Sequence, residues 1–228
     1  MRLFRSWFAP PLLLISPCVT GLLAQDASPA RPSVSFSFNR PGLPVPVYQL
    51  TIDQDGTGSY KGQEALQAGA PDQPPQPFQR PIHISAATVT RVFDLSRQLN
   101  HFNKPCASKA KNVADTGVKI LSYASPEATG SCTYNYTDDK NVQALTDIFQ
   151  GIAETLDEGR QLDHLHRYDR LGLDAAIKFL GQEVTDGRAL EVGVIADSLR
   201  SIAADSEVMD RVRTRANTLL AMVPAAAQ

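Results

Sequence analysis

Residues 46–62, PVYQLTIDQDGTGSYKG, carry the clearest structural signal in the chain and predict a β-hairpin. Tyr48, Leu50 and Ile52 alternate with polar residues, which is the period of a half-buried strand. Asp55-Gly56 predicts the turn that follows, since glycine adopts positive φ without a steric penalty. The stretch indicates a strand pair, and nothing in it indicates an enzyme.

The length of the loop fixes which side chains meet across this hairpin. A two-residue loop would pair apolar residues with polar ones and so mix the two faces. A three-residue loop, 54–56, places Leu50 opposite Tyr60. It also places Ile52 opposite Gly58, which keeps the apolar side chains together. We therefore expect the three-residue loop, with its glycine in the left-handed region.

Composition bounds the class of protein. The chain has 228 residues, of which 43% are hydrophobic and 20% are charged. This is typical of a soluble globular protein with one large or two small domains. The formal charge is −2 and the chain has no basic block, so nucleic acid is not an expected partner.

The N-terminus predicts a signal peptide at residues 1–24. Arg2 and Arg5 form a basic start, and residues 7–23 form an apolar stretch interrupted by prolines. This stretch is too short and too broken for a membrane span. Ala24 is the expected last residue before cleavage, so we expect an exported protein, periplasmic or extracellular.

Residues 25–32 are rich in Ala, Ser and Pro and predict a flexible leader. Cys18 raises the alternative of a lipoprotein, but Pro17 precedes it where such signals need a small residue. No segment beyond the signal peptide predicts a membrane span.

Signal cleavage leaves two cysteines, Cys106 and Cys132, and two thiols in an exported chain indicate one disulfide. It would close a loop of about 25 residues and stabilise the protein by about 3 kcal/mol in the chain-entropy picture. Cys132 is expected to share a strand face with Tyr134 and Tyr136, under the helix that ends before Cys106. Metal binding is the less favoured alternative, because two distant thiols without a neighbouring histidine do not make a zinc site.

The remaining pattern up to residue 137 predicts a sheet and one helix. Alternating residues predict four further strand segments, at 33–38, 82–84, 118–123 and 131–136. Five prolines predict a mobile loop at 63–81. Ser85 predicts a helix N-cap, followed by apolar residues at helical spacing as far as Phe102.

After residue 137 the chain predicts helices. The first begins at Asp138-Asp139, keeps one apolar side as far as Leu156, and is expected to break at Gly159. Three more are expected at 174–184, 190–203 and 206–223. The predicted fold is α+β, a small antiparallel sheet with one or two helices packed on one face, followed by an α-helical C-terminal region. Its parts are an α+β domain at 33–156, the helical region at 157–223 and a tail at 224–228.

Three motifs carry a family resemblance: Pro46-Val47-Tyr48, Asp55-Gly56 and Tyr60-Lys61-Gly62. Followed by a helix, two strands and a helix, they resemble a small bacterial envelope domain family of unknown function. Asp115-Thr116 before the third strand fits its pattern, and the resemblance covers about residues 33–156. Members often have a cysteine before the Pro-x-Tyr motif, where this chain has Val45. The resemblance implies the fold and the envelope compartment, and it brings no established activity.

The best metal-ligand candidates lie in one short segment: Asp163, His164 and His166, with Asp169 near by. Histidines two apart suit a strand or a loop better than one helix face, and the flanking residues indicate a helix. A third histidine would have to come from His83 or His101. Ordinary polar helix surface is the favoured interpretation, so we expect no metal and no cofactor.

Other polar groups have simpler interpretations. Ion pairing on a helix surface accounts for a set of charges: Asp157, Glu158, Asp163 and Asp169, with Arg160, Arg167 and Arg170. Asp53, Gln54 and Asp55 could suggest a cation site, but turn chemistry is favoured. Asn135 begins a glycosylation pattern, and a solvent-facing strand residue is the favoured interpretation.

The sequence therefore predicts an exported, non-catalytic binding or interaction module whose partner is a protein or another envelope ligand. The alternative is an envelope hydrolase with a metal or paired-carboxylate site near residues 163–169. No motif indicates the ligand, the pathway or the oligomeric state.

Overall fold

An antiparallel sheet of six strands forms one layer of the molecule, in the order β4-β3-β2-β1-β5-β6. The computed structural model describes residues 31–65 and 76–223. The strands are β1 Ser33–Asn39, β2 Val47–Asp53, β3 Thr57–Gln63, β4 Pro77–His83, β5 Val118–Ala124 and β6 Thr129–Tyr134. The predicted signal peptide (1–24) with Cys18 and Ala24, nearly all of the leader (25–32) and the tail (224–228) lie outside the described residues.

Helices form the second layer and the C-terminal region. They are α1 Ala86–Gln98, α2 Lys140–Tyr168, α3 Leu173–Thr185, α4 Ala196–Ala204 and α5 Asp210–Leu220, with short 3₁₀ turns at Asn100–Phe102 and Val192–Ile195. Phe36 of β1 stacks on Phe149 of α2 with ring centroids 5.4 Å apart, so α2 covers the apolar face of the sheet. The α+β class and the helical C-terminal region are confirmed.

The central hairpin has the predicted register. Leu50 pairs with Tyr60 and Ile52 pairs with Gly58. Gly56 has a φ of 87°, which confirms the three-residue loop. A Cβ at Gly58 would lie 2.1 Å from the backbone oxygen of Thr51, so this position excludes any side chain.

The predicted proline-rich loop at 63–81 is wrong at its C-terminal end, because Pro77 and Pro81 belong to β4. An edge strand has one side without a ladder partner, so it tolerates residues that lack an N–H group. Phe78 packs against Tyr60 at 5.3 Å and Ile82 is buried, which holds the strand on the core. The proline composition concealed this strand because proline normally disfavours one.

Cys106 and Cys132 form a disulfide with their Cα atoms 5.7 Å apart, as predicted. The strand that contains Cys132 was predicted at 131–136, and these bounds are wrong by two residues because β6 ends at Tyr134. Tyr136 lies beyond the strand and is 42% exposed, so it does not share the buried face of Cys132 and Tyr134. The reason is that Asn135 leaves the ladder and hydrogen-bonds to the segment before β5.

The predicted break at Gly159 is absent from α2, which continues unbroken to Tyr168. A Cβ at Gly159 would lie 2.3 Å from Cγ2 of Ile195. The glycine therefore permits close packing of the Val192–Ile195 turn against the helix.

Two apolar cores share α2. The first lies between the sheet, α1 and the N-terminal half of α2, as far as Leu156. The second begins at Leu162 and includes α3, α4 and α5. The predicted division after residue 156 falls between the two cores but inside one continuous helix.

Candidate functional site

An open groove of about 1430 Å³ lies between the sheet and the helices. The loop after β1, with Arg40 and Val45, and Tyr48 of β2 form one side. The face of α2 at residues 147–168 forms the other. Part of the lining comes from the α3 end, at Glu183 and residues 187–188, so the sheet, α2 and the end of α3 meet here.

Among the α2 carboxylates that line the groove, three lie close together: Glu154, Asp157 and Glu158. Their spacing, i, i+3 and i+4, puts them on one face of the helix. Glu183 of α3 lies close enough to raise the pKa of Glu154 and of Glu158. Like charges at this spacing destabilise a helix, which makes the cluster a candidate functional site.

Asp157 links α2 to β3, the strand next to the edge of the sheet. The hydroxyl of Tyr60, whose ring is fully buried, donates to Oδ1 of Asp157 at 2.9 Å. Burial, together with the nearby charges of Glu154 and Glu158, raises the pKa of Asp157 to about 7. The Tyr60 hydrogen bond lowers this pKa, and Arg160, with Nη1 3.0 Å from the same oxygen, favours the ionised form too.

Arg160 extends this link to the edge of the sheet. It forms an ion pair with Glu64, which follows β3. Its guanidinium lies over the ring of Phe78 in β4, 4.0 Å from the ring centroid. One arginine thus connects α2 to two neighbouring strands at the end of the groove.

Glu158 has no comparable partner. Its Oε2 atom is buried and has no hydrogen-bond partner among the described residues. Burial raises the pKa of Glu158 to about 7, and the charges of Glu154 and Glu183 act in the same direction. A carboxylate oxygen buried without a partner is costly when ionised, so Glu158 holds its proton to a higher pH than an exposed glutamate does.

The α3 end contains a compensating cation. Arg188 donates through Nε and Nη2 to the two carboxylate oxygens of Glu183, at 2.6 and 2.7 Å. These hydrogen bonds lower the pKa of Glu183. Burial raises the pKa of Glu154, and Glu183 adds to this effect while Arg188 opposes it. Arg188 therefore neutralises Glu183 and only partly offsets the effect of that residue on Glu154.

Lys119 also lines the groove, but its ammonium is enclosed by the protein. Nζ lies within 3.2 Å of four oxygens, supplied by Thr116, Gly117 and Asn135. Burial lowers the pKa of Lys119. With its donors occupied, this lysine holds the segment before β5 against the end of β6.

The structure separates the predicted metal ligands. Asp163 and His164 line the groove, and the His164 ring lies 5.0 Å from that of Tyr168. His166 turns away, with Nε2 2.8 Å from Oδ2 of Asp205 at the end of α4. Within residues 31–65 and 76–223, no group of three or more His, Cys, Asp or Glu side chains is arranged to hold a metal ion.

The other candidates have local structural contacts. Asp169 accepts a hydrogen bond from the backbone of Gly172 at 3.2 Å, in the turn between α2 and α3. His83 is exposed on β4, and the ring of His101 stacks on Tyr123 at 4.1 Å. Neither histidine lines the groove.

The candidate turn and sequon residues are also engaged. Asp55 accepts from the backbone N–H of Thr57 at 3.0 Å and pairs with Arg31. Hydrogen bonds from Thr57 lower the pKa of Asp55. The amide nitrogen of Asn135 donates to Ala114 at 3.0 Å, so this side chain ties two segments together.

The sequence interpretation missed the cluster at 154–158. Asp157 does pair with Arg160, as expected. The partners of Arg170 are instead Asp205 and Glu207. The available signal was the placement of three carboxylates between buried residues of α2, including Thr155, Leu156 and Gly159.

A scan of the chain against protein-family models found no match, and a search among curated proteins found no significant similarity. The resemblance to the envelope domain family therefore stays a prediction from its motif residues. No helix in the described part of the chain combines the length and apolar character needed to cross a bilayer.

Proposed function

We propose that the chain is an exported envelope protein that acts as a non-catalytic binding or interaction module, and that the groove is its binding site. The observation that carries the proposal is the groove itself, about 1430 Å³ in volume and lined by a dense set of charged side chains. Large concave sites with convergent polar groups are the usual binding sites of proteins.

The chemistry of the groove supports recognition of a ligand more than its transformation. The ammonium of Lys119 is enclosed by four oxygens, and Glu183 is held by Arg188. Cys106 and Cys132 are joined, so neither sulfur is a nucleophile. Exposed residues at the rim, Gln161 and His164 among them, offer contacts to a partner.

Export is supported by the sequence pattern of residues 1–24 and by the resemblance to an envelope domain family. The disulfide is compatible with an oxidising compartment. N-terminal sequencing of the exported chain tests this part, and we expect a start at or near Gln25. An intact Met1, or a lipidated Cys18, would contradict it.

The binding site is tested by immobilising residues 25–228 and identifying by mass spectrometry what is retained from an envelope extract of the source organism. The variant Gln161→Arg/Asp163→Lys changes two exposed groove residues. Lys178→Glu is the matched control, because Lys178 is exposed on α3 outside the groove lining. We expect a partner that wild type and control retain and the groove variant loses. Equal retention by all three would contradict the site.

The second candidate is an envelope hydrolase with a carboxylate pair. The observation in its favour is that Asp157 and Glu158 both have a pKa of about 7, which suits a general acid or base. The pair precedes the predicted site at 163–169 by about two turns of α2. Hydrolysis of glycan or peptide substrates by wild type, abolished in Asp157→Asn and in Glu158→Gln, would favour this candidate over the binding module.

A further inference from the structure

The carboxylates of α2 lie where the helix contacts both the sheet and the end of α3. Asp157 is joined to Tyr60 of β3, at the buried centre of the strand. Glu158 has a buried, unpartnered oxygen one residue further along. Any change in their charge therefore acts directly on the packing of α2 against its neighbours.

We propose that Glu158, together with Glu154, forms a proton-operated clasp that sets how tightly α2 packs on the end of α3. In the protonated state both side chains carry no charge, and α2 lies close against the end of α3. In the ionised state their charges repel, and the unpaired carboxylate of Glu158 draws water towards the contact. The groove is then wider, and the backbone amides of α2 and of the α3 end are less protected from hydrogen exchange.

Titratable and charged residues surround the clasp on all of the elements packed around it. The helices contribute Asp157 and Arg160 beside Glu154 on α2, and Glu183 and Arg188 at the α3 end. The sheet contributes Tyr48 on β2, Tyr60 on β3, Glu64 after β3, and Arg80, which pairs with Tyr60 in the register of β4. Burial raises the pKa of Tyr48 and of Tyr60, so both stay neutral across the relevant range. Arg188 is held by Glu183, and Arg160 is shared between Asp157 and Glu64. Among the residues that the structure describes, no cation pairs with Glu158.

The transition lies near neutral pH because the pKa of Glu158 is about 7. Below it the clasp holds its protons, and above it the contact loosens. The device is independent of any ligand, so it can fail while the groove still binds a partner.

Hydrogen exchange of residues 25–228 at pH 5.5 and 8.0, corrected for the intrinsic pH dependence of exchange, tests the clasp. We expect residues 150–160 and 183–190 to be about tenfold less protected at pH 8.0. In Glu158→Gln, an isosteric neutral variant, the two values should agree within about twofold. Asp163→Asn, on the same helix and in the same groove, should keep the tenfold difference.

Two results would overturn the proposal: no loss of protection at pH 8.0 in the wild type, or a full tenfold loss in Glu158→Gln. A carbon-13 titration of the Glu158 carboxyl in wild-type protein gives a test that needs no variant. A midpoint near neutral pH supports the clasp, and a midpoint near 4 refutes it.

Discussion

The carboxylate of Glu191 accepts two hydrogen bonds from Ser85, one from its backbone N–H at 3.0 Å and one from its hydroxyl at 2.6 Å. Ser85 is the N-cap of α1 and also accepts from the backbone of Thr88. A negative charge at this position is stabilised by the unpaired N–H groups and dipole of the helix. Glu191 lies between α3 and the Val192–Ile195 turn, so the helical C-terminal region helps to cap the N-terminus of α1.

We expect Glu191→Ala to lower the free energy of unfolding by about 1–2 kcal/mol, because the N-terminus of α1 loses its charged acceptor. Glu191 has a φ of 57°, a conformation that alanine does not favour either, so the substitution relieves no strain. Urea unfolding measures the effect. Glu207→Ala, which removes an exposed carboxylate, should change stability by less than about 0.5 kcal/mol. Equal effects of the two substitutions would contradict the role of Glu191.

The disulfide should stabilise the protein without defining its fold. In Cys106→Ser/Cys132→Ser we expect a loss of about 2–4 kcal/mol in the free energy of unfolding, with an unchanged far-ultraviolet circular dichroism spectrum. The physical reason is that the bridge restricts the unfolded chain more than it strengthens the folded one. Thiol titration of unreduced, denatured residues 25–228 should find no free thiol, and two thiols per chain would contradict the bridge.

Gly159→Ala should destabilise the protein by about 1 kcal/mol or more, because the new methyl group overlaps Ile195. Gly181→Ala in α3 is the matched control. A Cβ there meets nothing within 4 Å, so alanine should stabilise that helix by about 0.5–1 kcal/mol. Adding Ile195→Ala to Gly159→Ala should cost less than the two single losses together, as measured by a double-mutant cycle. A stabilising Gly159→Ala would contradict the close packing.

Tyr60→Phe should reduce stability more at pH 8 than at pH 5. The folded-state pKa of Asp157 lies above its ordinary value, so folding favours its protonated form and that contribution falls as the pH rises towards 7. The lost hydrogen bond favours the ionised form, so we expect a loss of about 1–2 kcal/mol at pH 8 and about half of that at pH 5. Urea unfolding at both values measures it. Tyr123→Phe, on another strand, should show no such difference between the two values.

We expect no stoichiometric transition metal in protein purified without added metal. The predicted ligands diverge, since His164 lies in the groove and His166 pairs with Asp205. Elemental analysis by mass spectrometry measures the content. One zinc or iron per chain, lost in His164→Ala, would contradict this expectation and favour the alternative function, an envelope hydrolase.

Local patterns predicted those features that neighbouring residues determine. The register of the central hairpin follows from alternation and one glycine, and the α1 cap follows from one serine. Features that depend on distant partners were missed. The sequence pattern predicted a helix break at Gly159. The glycine is instead needed for close packing against Ile195, which is too far away in the sequence for a local pattern to show it. Pro77 looked like a loop residue because sequence does not show that its strand lies at an edge.

The candidate site was missed for the same reason. Three carboxylates on a helix are ordinary surface unless something covers them. What covers them here is Tyr60, from a strand almost a hundred residues earlier, and Glu183, from the next helix. The charges alone did not identify a site. The tertiary contacts partly bury these carboxylates and raise their pKa values.

The two edge strands of the sheet, β4 and β6, affect how the protein behaves at high concentration. At one end, Pro77 and Pro81 remove N–H donors that another chain would need for pairing. At the other end, Cys106 is bonded to Cys132, and the backbone oxygen of His101 lies so close to Gly130 that even a methyl group would not fit between them. In the described part of the chain, both edges of the sheet are thus obstructed at specific positions, so strand addition by a second chain and the growth of fibres should be slow.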